Sequence, residues 1–272
     1  MLSRRALLTG GAALLGAAET RKLKIGVMDG VLRMSSNPLA CAAAKRLGLE
    51  GVQVTLGRRE DGKLRLADAE LQEQWTAASR ENSIPLDATY LDVLHSDCFK
   101  IESSAARDRI RSGIEITRKL NASILMTVFF GKCAIESAAE FDTVARLFRE
   151  LAPEAERAGV ILGFENLLSG DDNLRMLDRV ASSAFRIYYD VGNSTRQGYD
   201  VPAEIRRLGR KRICQFHFKD EGYLGSGPVR FPDILSVIRD IGFEGYANLE
   251  TSSPSGDIEK DVSRNLAYLR GL

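Results

Sequence analysis

Eight short apolar runs alternate with amphipathic stretches along almost the whole chain. The runs cover residues 23–29, 51–56, 85–93, 123–130, 159–166, 185–191, 212–220 and 245–251. Between them, apolar residues recur at helical spacing, as in residues 68–82, 104–120, 138–158 and 258–269. Runs too short for helices, each followed by a helical pattern, predict parallel βαβ units. Eight such units are what a closed barrel requires, so the fold class expected is α/β, a single (β/α)8 TIM barrel.

The punctuation fits that frame. Leu47-Gly48, Ala158-Gly159 and Ile241-Gly242 each place a glycine after a helical pattern and before a strand, where a left-handed cap is wanted. Pro232 follows Phe231 at a predicted helix start, where its missing N–H costs little. No Pro/Ser-rich linker or shift of composition divides the chain, so residues 22–272 read as one domain. The competing architecture is a doubly wound open sheet. Its phosphate-binding turn is missing after the first strand, where the chain reads GVMDGVLR rather than GxGxxG.

Composition narrows the function classes. The 272 residues are 44% hydrophobic and 28% charged, enough apolar side chains for one sizeable core. Lysine and arginine total 38 against 37 acids, a net charge of +1, and no basic run is interleaved with aromatics. Nucleic acid is therefore not an expected partner. The four cysteines, Cys41, Cys98, Cys133 and Cys214, are scattered without a CxxC pair, which leaves zinc-ribbon and thioredoxin chemistry without support. They read as small, semi-buried residues, and Trp75 reads as core.

The N-terminus, MLSRRALLTGGAALLGAAET, differs from the rest. Arg4 and Arg5 precede an apolar stretch too short to span a bilayer, and small residues end it at Ala17-Ala18. Residues 1–18 are expected to be a signal peptide of the twin-arginine type, with the mature chain starting near Glu19 and exported to the periplasm or beyond. Export would permit one disulfide. No later segment is apolar and long enough for a membrane span.

Barrel enzymes carry their working groups at the C-terminal ends of strands. The fifth run ends at Glu165, the sixth at Asp190, the seventh carries His217 and the eighth ends at Glu250. A charge closing an apolar run is costly unless it is paired or binds something. Barrel closure would bring these four ends around one mouth. Three oxygen ligands and one imidazole suit one fairly hard divalent cation, manganese foremost, with magnesium, cobalt or zinc as alternatives.

With GVILGFENLLSGDDNLRMLDRV, YYDVGNS, ICQFHFKDEG and the terminal NLE, the chain resembles the xylose isomerase-like TIM barrel superfamily, in its sugar phosphate isomerase/epimerase branch. The resemblance spans nearly everything from Lys22 to Leu272. It implies that Glu165, Asp190, His217 and Glu250 hold a catalytic metal. It also implies that Glu165 and Glu250 double as the acid–base pair, on opposite sides of a bound sugar. A metal that polarises a carbonyl eases loss of the neighbouring proton to an enediolate, which the two carboxylates can take up and return. The expected partner is a small carbohydrate, with assembly as a homodimer or homotetramer left open.

Substrate-binding candidates follow from strand alternation and position. Gln215 and Lys219 share the face of His217, Asn193 lies three residues after Asp190, and His95 follows the third strand. For Lys219 the alternative is a rim salt bridge with Asp220 or Glu221. At Asn193 several sugar epimerases of the superfamily carry histidine, a departure that leaves the subtype open. The Gly-rich stretch 222–230 is expected over the mouth. Two further readings share the same ligand set. One is a lyase or hydrolase of 3-keto glycosides; the other is a barrel that binds sugar without turnover. The trinuclear zinc endonucleases of the superfamily need more histidines than the two present here.

Overall fold

The computed structural model describes residues 23–272; the predicted signal peptide lies outside the described residues. Eight strands form a closed parallel barrel in sequence order. They are β1 (Leu23–Met28), β2 (Val52–Thr55), β3 (Leu86–Tyr90), β4 (Ile124–Phe129), β5 (Ile161–Asn166), β6 (Phe185–Asp190), β7 (Ile213–Phe218) and β8 (Gly245–Leu249). Pairing of Leu23 with Gly245 through Val27 with Leu249 closes the ring and excludes the open-sheet alternative.

The helices outside the ring are α1 (Leu39–Leu47), α2 (Ala69–Asn82), α3 (Ser104–Lys119), α4 (Ala138–Ala158) and α5 (Gly170–Val180). After β6 come α6 (Val191–Arg196) and α7 (Val201–Leu208), then α8 (Phe231–Asp240) and α9 (Ile258–Arg270). Their ends carry the expected signals. Gly48 and Gly159 cap α1 and α4 at φ 77° and 68°, in the left-handed region. Ser137 and Glu140 form a reciprocal capping box at the start of α4. None of the described helices is long and apolar enough to cross a membrane.

The apolar core lies between barrel and helices. Phe129, Phe148, Phe164 and Phe185 stack between β4–β6 and α4, with ring centroids 4.7–5.9 Å apart for the contacting pairs. Trp75 is fully buried, as its helical position predicts. The barrel interior is different. Most such barrels fill it with branched aliphatics, whereas here Gln53, Asp87, Gln215, His217 and Asn248 are all buried. Burying polar groups is tolerable only where they bond one another, and they do so in the layers described below.

Two departures from expectation concern the connections. The third run stops as a strand at Tyr90, and Asp92–His95 forms a single 3-10 turn. Cys98 and Cys133 are joined by a disulfide that ties the β3–α3 loop to the β4–α4 loop, while Cys41 and Cys214 are free and buried.

Candidate active and metal site

Register sets the site. Between Ile187 and Tyr188 the pairing of β6 with β7 slips by one residue, which brings Asp190 level with His217; an unbroken register would set it beside Phe216. On the next strand His217 is level with Asn248, and the Glu250 amide donates to the Phe218 carbonyl just beyond. The result is that Glu165, Asp190, His217 and Glu250 each offer a ligand atom within 4.8 Å of the others.

His217 is the hub. Its Nδ1 lies 2.9 Å from Glu165 Oε1 and 3.3 Å from Glu250 Oε2. Its Nε2 donates to Gln53 Oε1 at 2.7 Å, and the Gln53 amide nitrogen is in turn directed at Met126 Sδ, 3.2 Å away. Asp190 Oδ1 accepts from the Asn193 amide at 2.8 Å, capping α6, and Oδ2 lies 3.5 Å from Lys219 Nζ. Lys219 also donates to Glu250 Oε2 at 3.0 Å, so it pairs with the cluster rather than with Asp220 or Glu221.

The charges respond to this crowding. Burial and the adjacent Glu250 charge hold the Asp190 carboxyl well above the usual carboxylate range, against the pull of Lys219. Burial also opposes ionisation of Glu250, yet the hydrogen bond and charge of His217, with Lys219, outweigh it and hold that carboxyl below its ordinary value. Burial disfavours an imidazolium at His217, but Glu165 and Glu250 push its pKa up to about 10. Three carboxylates around one imidazole whose far nitrogen is committed to Gln53 form a donor set that fits a hard divalent cation, with Nδ1 as the nitrogen ligand.

Above the cluster opens a cavity of about 330 Å³, within the range of small-molecule sites. Tyr90, His95, Asn193, Arg196 and Lys219 give it polar walls; Met28, Met126, Phe130 and Leu167 give it apolar ones. His95, Asn193 and Lys219 thus line this cavity, and His95 Nε2 is held by the Tyr90 hydroxyl.

Two expectations fail here. Gln215 does not line the cavity; it lies beneath His217, fully buried, and donates to Asp87 Oδ1 at 2.7 Å. Alternation gave its face correctly but not its depth, since two residues along a strand is about 6.6 Å further into the barrel. None of residues 222–230 lines the cavity either. Asp220 gathers that loop by accepting from the amides of Gly225 and Gly227, and Leu224 N bonds Asn265 of α9. Gly225, at φ +78°, faces Tyr268 so closely that a Cβ would lie 2.3 Å from its ring, which holds the loop against α9 instead of over the mouth.

Gln53, Asp87 and Arg196 are site residues that sequence reasoning did not single out. For Gln53 and Asp87 the available signal was a polar side chain inside an otherwise apolar run.

Comparison with known proteins agrees with this architecture. A curated 2-epi-5-epi-valiolone 7-phosphate 2-epimerase of Actinoplanes sp. is 26% identical over 193 residues, 71% of each chain. Among solved structures, D-allulose 3-epimerase from Methylomonas sp. superposes with TM-score 0.77 at 16% identity, covering 92% of this chain and 97% of that one. The 3-keto-D-glucoside 4-epimerase of E. coli gives TM-score 0.76 at 17% identity, covering 92% of this chain and 100% of that one. At such identities these two likenesses speak for the fold. The family profile described as xylose isomerase-like TIM barrel matches residues 41–272, and the chain belongs to that family.

Proposed function

We propose that this chain is a metal-dependent sugar isomerase/epimerase that moves a proton at a carbon beside a carbonyl. The observation that carries this reading is the convergence of Glu165 and Glu250 on His217 Nδ1 from the ends of β5 and β8, three strands apart in the ring. Glu165, Asp190, His217 and Glu250 would hold the cation, manganese being favoured by the oxygen-rich set. When bound, it supplies electrophilic polarisation of the carbonyl. The chain's own carboxylates do the rest. One glutamate takes the proton from one face of the sugar, and the other returns one to the opposite face or to the neighbouring carbon. The first outcome is epimerisation and the second is isomerisation. Lys219, between Glu250 and Asp190, offers positive charge to the oxygen that becomes electron-rich. The name of the Actinoplanes relative, an epimerase, supports the same chemistry.

An exported, oxidising location is part of the proposal. The twin-arginine leader motivates it, and the Cys98–Cys133 disulfide is the kind of bond that persists outside reducing compartments.

The test is NMR in D2O on the manganese-loaded protein, with a panel of ketoses, aldoses and 3-keto glycosides. Deuterium should enter one carbon next to a carbonyl, and both Glu165→Gln and Glu250→Gln should lower that rate by roughly 10²–10⁴-fold while the melting curve stays cooperative. A near-normal rate in both variants would refute the assignment; release of an aglycone would replace it with elimination.

A further inference from the structure

Arg196 brings to the cavity a positive charge that the proton-transfer chemistry does not use. It is the last residue of α6, the short helix that starts on Asp190. One side of α6 is pressed against the end of β7: a Cβ on Gly192 would lie 2.7 Å from the Lys219 carbonyl oxygen and 2.9 Å from its Cγ. Arg196 is three residues from Asn193 and four from Gly192, so it neighbours both on the helix surface. Asn193 and Arg196 both line the cavity.

The guanidinium makes one long hydrogen bond, Nη1 to Asn193 Oδ1 at 3.4 Å. Among the described residues no carboxylate pairs with it, whereas Lys219 is taken up by Glu250 and Asp190. Charge counting makes the difference matter. A divalent cation and Lys219 together balance the three carboxylates of the cluster, with His217 a neutral ligand. Arg196 is then surplus: it stands exposed at the cavity rim with most of a five-donor fork unused by the protein. A neutral sugar can only hydrogen-bond to that rim, whereas a substrate carrying one anionic group can also pair with its charge.

We infer that Arg196 recognises an anionic substituent, a carboxylate or a phosphate ester, on the sugar substrate. This rests on the sugar reading above and narrows its substrate class. Arg196 lies six residues after Asp190, a backbone rise of roughly 9 Å along the helix axis, and its guanidinium reaches back to Asn193. Asn193, whose oxygen already bonds Arg196, steadies the guanidinium.

The experiment is calorimetric binding of three carbonyl-free, unreactive sugar analogues to the manganese-loaded protein: sorbitol, sorbitol 6-phosphate and gluconate. At least one anionic analogue should bind roughly 10–100-fold more tightly than sorbitol, as a charge-assisted pair predicts. Arg196→Met should bring that ratio to about one, and Arg196→Lys, which keeps the charge but not the fork, should recover part of it. Which anion wins tells phosphate from carboxylate. Equal affinity for all three in the unaltered protein, or a preference that survives Arg196→Met, overturns the inference. Deuterium exchange with neutral ketoses separates the two claims. Exchange without anion preference sinks only the role of Arg196, and an Arg196-dependent preference without exchange on any sugar sinks only the proton-transfer reading.

Discussion

Gln53 Oε1 accepts from His217 Nε2 at 2.7 Å, across the barrel from β2 to β7. That bond commits the Nε2 hydrogen to Gln53 and leaves Nδ1 facing Glu165 and Glu250, as the nitrogen that must give up its proton to ligate a cation. Partners behind a metal-bound histidine typically contribute 10–100-fold in affinity. Gln53→Leu should therefore weaken manganese binding by about that factor, read by calorimetry on metal-stripped protein, with the fold retained. Unchanged affinity would show that the amide only fills space.

The same histidine makes metal binding pH-dependent. Its pKa is pushed up to about 10 by Glu165 and Glu250 in spite of burial, so a proton holds Nδ1 at neutral pH and a cation must displace it. Apparent affinity should fall at least tenfold for each pH unit between 8 and 6, and more steeply where Asp190, also raised, is protonated. Calorimetry in buffers of different ionisation enthalpy would count the released protons. A flat profile would contradict the arrangement.

Beneath His217, Asp87 accepts from Gln215 and Asn248 through Oδ1, while Asp87 Oδ2 and Asn248 Oδ1 are buried without hydrogen-bond partners. Both unpartnered oxygens abut Gly26, where a Cβ would lie 2.8 and 2.1 Å from them. Burial outweighs the two donors and raises the Asp87 pKa from 3.8 to about 7. The folded state thus holds this proton more tightly than the unfolded chain. Its contribution to stability is complete below pH about 4 and is lost as pH rises through 7. Asp87→Asn keeps an accepting oxygen and adds a donor beside Asn248. The variant should match the parent in denaturant melts near pH 4 and exceed it at pH 8, by up to roughly 4 kcal/mol for a shift of about three units. Equal stability at both pH values would mean that Asp87 is not strained by burial.

The Cys98–Cys133 disulfide closes a loop with a sequence separation of 35 and joins the two connections that carry His95 and Gly131 to the cavity wall. Constraining a loop of that length stabilises by about 4 kcal/mol on the chain-entropy account. Reduction, or the paired Cys98→Ser and Cys133→Ser variant, should lower the melting temperature and raise KM more than it lowers kcat. A melting curve indifferent to reductant would contradict this.

The residues legible in the sequence were those announced by a local conflict. Glu165, Asp190, His217 and Glu250 each place a costly polar group at the close of an apolar run, and strand order brings their ends to one mouth, with the slip between β6 and β7 setting Asp190 level with His217. Gln53 and Asp87 belong to the same interior, but their partners are 164 and 128 residues away, and only closure and stagger of the ring set who meets whom. Gln215 shows the limit of alternation, which assigns a face without a depth. Arg196 lies on a helix of six residues, too short for periodicity to announce it. The mouth loops were the least legible, because Asp220 and Tyr268 shape the 222–230 segment through contacts that have no sequence pattern.

The central claim is that one cation is shared by four strand ends, and crystallography with anomalous scattering tests it most directly. Crystals of the manganese-loaded protein should show a single strong anomalous peak per chain, bonded to Glu165, Asp190, His217 Nδ1 and Glu250, and His217→Ala should erase it. A peak elsewhere, or a cluster that takes up no manganese with His217 still bonded to Glu165, would contradict the account.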